Sequence, residues 1–284
     1  MTRPLHIEPV PGDFCGLDLS HDAFPQDRIR FWFPEGIVYY DDEGVFHIID
    51  MGRSRPHWTR SPAGVLSHRR RWEIVEYEVS AIPAGETLEL RATVTNVSPR
   101  PLHRVDLAPC VQLASAPSLD DTSMTRTFYR AQGRFLAIAD ADRPNDPRKN
   151  QVSVTPDLGF RWTLGEAEIS YGWGLASPDA DAGFIAVLGA DPATAPASPP
   201  PLKTQASSLT PQASSLFPRS ALATYWARAA TLANNSASPI HCVHAEPYFD
   251  TLAPGASSSN SGELLWRRQS SLEDLWQRFL DFRL

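Results

Sequence analysis

The sequence has almost no lysine. Lys149 and Lys203 are the only two, and arginine supplies the rest of 26 positive side chains against 33 acidic ones. With a formal net charge of −7 and no basic run longer than His68-Arg69-Arg70-Arg71, the footprint of a protein that binds nucleic acid or an anionic membrane is missing. No nucleic-acid partner is expected. No apolar stretch approaches the ~20 residues of a membrane span, and Met1-Thr2-Arg3-Pro4-Leu5-His6 carries no apolar signal-peptide core. A cytoplasmic protein with no membrane partner is the expectation. Cysteine is scarce too: Cys15, Cys110 and Cys242 are odd in number and widely spaced, which argues against a disulfide framework and for reduced thiols. In that setting Asn96-Val97-Ser98 reads as a turn and not as a glycosylation site. The chain also lacks a P-loop, G-x-G-x-x-G, G-x-S-x-G and H-E-x-x-H, and no cofactor is expected.

What is present is β patterning. Val75, Tyr77, Val79 and Ala81 alternate with Glu76, Glu78 and Ser80. After Pro83-Ala84-Gly85, Leu88, Leu90, Ala92 and Val94 alternate with Glu89, Arg91, Thr93 and Thr95. Period two on both sides of a turn predicts a hairpin. A third strand follows Pro99 and Pro101, with Val105, Leu107, Val111 and Leu113 on one parity and Asp106, Cys110 and Gln112 on the other. Further short candidates at 29–33, 36–40, 45–50, 160–163, 169–176, 183–188, 223–230, 239–244 and 262–267 are separated by turn signals. Residues 1–284 are therefore expected to form one all-β domain, a large antiparallel two-sheet β-sandwich of the supersandwich kind. A Pro/Ala/Ser-rich stretch at 191–220 is too poor in core formers to pack and is expected to be a flexible insertion. Leu272, Leu275, Trp276, Phe279 and Leu280 recur at helical spacing. They predict one C-terminal helix at 271–282, with Ser270 and Glu273 as its capping box and its apolar face docked on the sandwich.

The densest group of reactive side chains is His241-Cys242-Val243-His244-Ala245-Glu246-Pro247. On a strand, Cys242, His244 and Glu246 share one face. A carboxylate there can serve as general base and a nearby imidazole as acid, so Glu246 and His244 are the candidate catalytic pair, with Gln112 or Arg60 to orient a substrate. Among the aromatics, Trp58, beside His57 and Arg60 in a Pro-flanked loop, is the one expected to be exposed and able to stack on a sugar ring. Cys110, Cys242 and His244 could instead hold a metal if their strands lie together. His21, Asp22, His47, His57 and His68 could complete either site, or simply pack.

Glu246-Pro247, a spacer, and then Pro254-Gly255 before a final strand resemble the C-terminal end of the aldose 1-epimerases, the galactose mutarotase family. Thr93-Val94-Thr95-Asn96, a turn and a third strand resemble that family's central sheet. The resemblance spans Trp72 to Trp266. It implies a sugar or oligosaccharide ligand and Glu246 as the base that takes the anomeric hydroxyl proton. The family's acid histidine has no counterpart in Ala108-Pro109-Cys110-Val111-Gln112-Leu113. That departure widens the implication to sugar-active sandwich proteins at large: epimerases, lyases, hydrolases and non-catalytic sugar-binding or assembly modules.

Overall fold

A computed structural model describes residues 5–12, 15–50, 57–140, 151–156, 177–181, 183–190, 220–235, 239–268 and 270–283. The strands expected at 160–163 and 169–176, and the insertion expected at 191–220 up to residue 219, lie outside these residues. Ser220 itself is buried, its Oγ 2.9 Å from that of Ser118.

In chain order the strands are β1 (Leu5–Pro9), β2 (Gly16–His21), β3 (Ile29–Tyr40), β4 (Phe46–Asp50), β5 (Thr59–Arg60) and β6 (Leu66–Arg71). Next come β7 (Val75–Ala84), β8 (Thr87–Asn96), β9 (His103–Gln112), β10 (Thr127–Ala131), β11 (Arg134–Ala137) and β12 (Gln151–Pro156). The last are β13 (Ser177–Ala180), β14 (Phe184–Leu188), β15 (Ala221–Trp226), β16 (Ala229–Asn235), β17 (Cys242–Pro247) and β18 (Ser257–Arg267). A helix, α1 (Leu272–Arg283), follows. The first sheet runs β1-β2-β3-β9-β17-β16-β12-β13 with β4 on β3, and the second runs β11-β10-β14-β15-β18-β8-β7-β6-β5. Every pairing is antiparallel except that of β12 with β13. This is the expected all-β sandwich with one C-terminal helix.

Alternation builds the core. Val75, Tyr77, Val79 and Ala81 of β7 and Leu88, Leu90, Ala92 and Val94 of β8 face Val105, Leu107, Val111, Val243 and Ala245 of the first sheet in one hydrophobic cluster. Ala84 pairs with Thr87 across Gly85-Glu86, so the hairpin turn is two residues long and lies later than Pro83-Ala84-Gly85 suggested. Gly85 takes φ +69°, a conformation open to glycine without a Cβ penalty.

The outer face of the second sheet is covered by α1. Leu275 and Phe279 are fully buried against Phe184, Tyr225 and Leu265. The cap lies one residue later than expected: Ser271 Oγ accepts from the Asp274 N–H at 3.1 Å, and Asp274 Oδ2 accepts from the Ser271 N–H at 3.0 Å. Ser270 is buried instead, and aspartate, not Glu273, closes the reciprocal box. Among the described residues no helix is long and apolar enough to cross a membrane.

His68, one of the histidines that could have served a site, packs inside the sandwich. Its Nδ1 lies 3.3 Å from the Tyr77 hydroxyl and its ring 5.4 Å from that of Trp58. Burial first, then Arg70 and His57, pull its pKa from 6.5 to about 4. Below pH 6.5 the unfolded chain takes up a proton that the folded chain refuses until about pH 4, so stability present above 6.5 is lost through that window. Between pH 7.5 and 5 the loss from this group is about 2 kcal/mol. Urea midpoints of wild type and His68→Gln at both pH values check this. The variant is expected to lose about 2 kcal/mol less on acidification, and an equal drop would refute it.

Candidate active site on the outer face of the first sheet

On β17, Val243 and Ala245 point into the core. The alternation therefore sends Cys242, His244 and Glu246 to the outer face of the first sheet. On β9 the same division sends Asp106, Cys110 and Gln112 outward. β9 and β17 are hydrogen-bonded neighbours, Cys242 opposite Gln112 and Val243 opposite Val111. The outer-facing groups of both strands therefore form one cluster, and all of them are buried.

β3 lies on the other side of β9. Its register runs from Trp32↔Cys110 to Gly36↔Ala108, four residues against two. The bulge carries Glu35 beside the cluster, close enough for His244, Cys242, Cys110 and Glu246 to act on its carboxyl. Neither Glu35 nor Asp106 was singled out as a site residue from the sequence. Pro34-Glu35-Gly36 looks like a break between two strands, and the two runs at 29–33 and 36–40 are in fact one bulged strand.

Within the cluster, Cys242 Sγ lies 3.1 Å from His244 Nε2, and His244 Nδ1 lies 3.6 Å from Glu246 Oε1. Donation from the Cys110 thiol, helped by the charge of His244, pulls Cys242 down to about 5 against the opposing effect of burial. Burial, and then the Cys242 thiolate, push Cys110 well up, so it stays a thiol. Burial disfavours the His244 imidazolium, but Cys242 and Glu246 outweigh it and hold the imidazole protonated well above its ordinary range. Asp106 is pushed well up by burial and then by the charge of Glu246, with Arg104 opposing. Glu35 is raised by burial, partly offset by His244. A thiol pushed down, an imidazole pushed up and two carboxyl groups pushed up thus sit side by side.

Glu246, His244 and Gln112 come together as the sequence suggested. Trp58 and Arg60 do not join them. Arg60 donates to the Ile7 carbonyl at 2.9 Å and to Glu8 Oε2 at 2.8 Å, which ties β5 to β1. β1 is four strands from β17 in the first sheet, or about 19 Å. Trp58, expected to be exposed, is half-buried and packs against the core beside His68.

No protein-family model matches the sequence, and no curated protein matches it. Similarity is found among solved structures. A polysaccharide lyase superposes with a TM-score of 0.51 at 10% identity over 99% of this chain, which spans 34% of the lyase. Galactose mutarotase-like proteins from Clostridium acetobutylicum and Lactobacillus casei give TM-scores of 0.44 and 0.45, both at 11% identity over 93% of this chain and over 93% and 100% of theirs. The likeness to the lyase is one of fold, a β-sandwich.

Proposed function

We propose that the protein acts on a carbohydrate at the outer face of the first sheet, with Glu246 as the proton acceptor and Glu35 as the proton donor. The observation that carries this reading is the convergence of Glu35 and Glu246 on one imidazole, that of His244, with Asp106 beside Glu246. Among the described residues Glu246 Oε1 has no hydrogen-bond partner. Paired acid and base carboxyls are what proton transfer at a sugar carbon or glycosidic oxygen requires. Glu35 is the more exposed of the three, and a raised carboxyl can donate. His244, between Cys242 and Glu246, orients Glu246, and the acid role that sequence spacing gave it passes to Glu35. The sandwich shared with a polysaccharide lyase supports a saccharide ligand by analogy of fold.

The test incubates the protein with aldoses, uronides and oligosaccharides and follows epimerisation or bond cleavage. Glu246→Gln is expected to lower turnover by about a hundredfold, the low end for losing a general base. Unchanged turnover in that variant would remove Glu246 as the base. Saccharide binding without turnover in wild type would replace the enzyme by a binding module.

A further inference from the structure

We propose that Cys110, Cys242 and His244 form a zinc site, with the two sulfurs and His244 Nε2 as ligands. The three ligand atoms lie within 4.8 Å of one another, on buried residues. A tetrahedral zinc with Zn–S bonds of ~2.3 Å and a Zn–N bond of ~2.0 Å sets its sulfurs about 3.8 Å apart. Closing on the ion therefore takes sulfur movements on the order of 1 Å. Two adjacent, hydrogen-bonded strands hold the ligands, and a sheet positions side chains more rigidly than a loop does.

Two further observations point to a cation. Behind the imidazole, Glu246 Oε1 lies 3.6 Å from His244 Nδ1 and lacks a hydrogen-bond partner among the described residues. A carboxylate in that position fixes the tautomer and orientation of a ligating histidine. The second is on the neighbouring strand: Asp106 Oδ1, on the same outer face, is also buried and has no hydrogen-bond partner among the described residues. A buried carboxyl oxygen left without a donor is costly, and a bound cation offsets that cost. Two thiolates and an imidazole select zinc over magnesium or calcium, which prefer oxygen. Three protein ligands leave one position for water.

The proposal stands apart from the saccharide reading, because metal content is measured without a substrate. Full-length protein purified without a histidine tag from zinc-supplemented medium is expected to carry about one equivalent of zinc by elemental analysis. Reconstitution with Co²⁺ is expected to give thiolate charge-transfer and tetrahedral d–d absorption. Cys110→Ser and Cys242→Ser are each expected to lose most of the zinc and the charge-transfer band. Cys15→Ser, whose sulfur lies 3.7 Å from the Tyr77 hydroxyl inside the core, is expected to keep both. Folding of each variant is checked by circular dichroism. Less than about a tenth of an equivalent in folded wild type after reconstitution, or equal loss in Cys15→Ser, would overturn the assignment. Turnover lost in Glu246→Gln at full zinc occupancy would be a failure of proton transfer and not of the metal site.

Discussion

Glu263→Ala is expected to destabilise the protein by about 3 kcal/mol, the low end for breaking a buried ion pair. Glu263 lies on β18 with its side chain 4% exposed. Its Oε2 accepts from the Tyr225 hydroxyl and from Arg278 Nε, and its Oε1 accepts from Arg278 Nη2 at 2.8 Å. Burial and the hydrogen bond to Glu263 push the Tyr225 phenol far up. The carboxylate thus fastens α1 to the outer face of the second sheet, where Leu275 and Phe279 are buried. Removing it leaves a guanidinium and a phenol facing each other without an acceptor. Arg278 is 38% exposed and can turn to solvent, which keeps the loss near the low end. Guanidinium chloride midpoints check it. The paired change Glu263→Leu with Arg278→Met is expected to recover most of the loss, because apolar groups of similar volume need no acceptor. A single-variant loss under about 1 kcal/mol, the worth of an exposed pair, would show that the helix docks by its apolar face alone.

The helix, like the β7–β8 hairpin, was legible because its period is written over many residues. Five apolar positions at helical spacing outvote any one polar neighbour. Its cap was misplaced by one residue because Ser270 and Ser271 are adjacent and both have an acid three residues on, and only packing decides between them. At the candidate site, the shared face of Cys242, His244 and Glu246 follows from period two. Their burial does not, because β17 is buried on both faces and a polar parity normally signals solvent. Glu35 was hidden by the bulge in β3, since an extra pair of residues breaks the alternation by which a sequence assigns faces. Trp58 and Arg60 lie apart from the cluster for a different reason. Their neighbours in sequence say nothing about the edge of the sandwich to which β5 belongs, and the bonds of Arg60 to β1 are long-range contacts with no local signature.

Asn96 shows how a correct local reading can carry a large energetic consequence. The sequence marks it as a turn residue, and the structure buries it completely. Nδ2 donates to the Arg100 and Leu252 carbonyls at 2.7 and 2.8 Å, while Oδ1 accepts from the Ser98 N–H at 2.9 Å and the Ser98 hydroxyl at 2.7 Å. Three of these hydrogen bonds hold the turn after the hairpin, and the fourth, to Leu252, clamps it to the loop before β18. Asn96→Ala removes all four and strands buried partners, at about 1 kcal/mol each, for a loss of about 4 kcal/mol. Asn96→Asp keeps both accepted bonds but sets a carboxylate oxygen against two carbonyl oxygens. Its loss at neutral pH is expected to match or exceed that of alanine. The two differ on acidification. A buried carboxyl repelled by carbonyls has a raised pKa in the folded state, so it takes up a proton as pH falls through that value and regains one donor. Compared at each pH by urea unfolding, Asn96→Asp is expected to gain on Asn96→Ala below neutrality. A constant gap between them from pH 7.5 to 5 would mean that the amide donors are not what hold the loop.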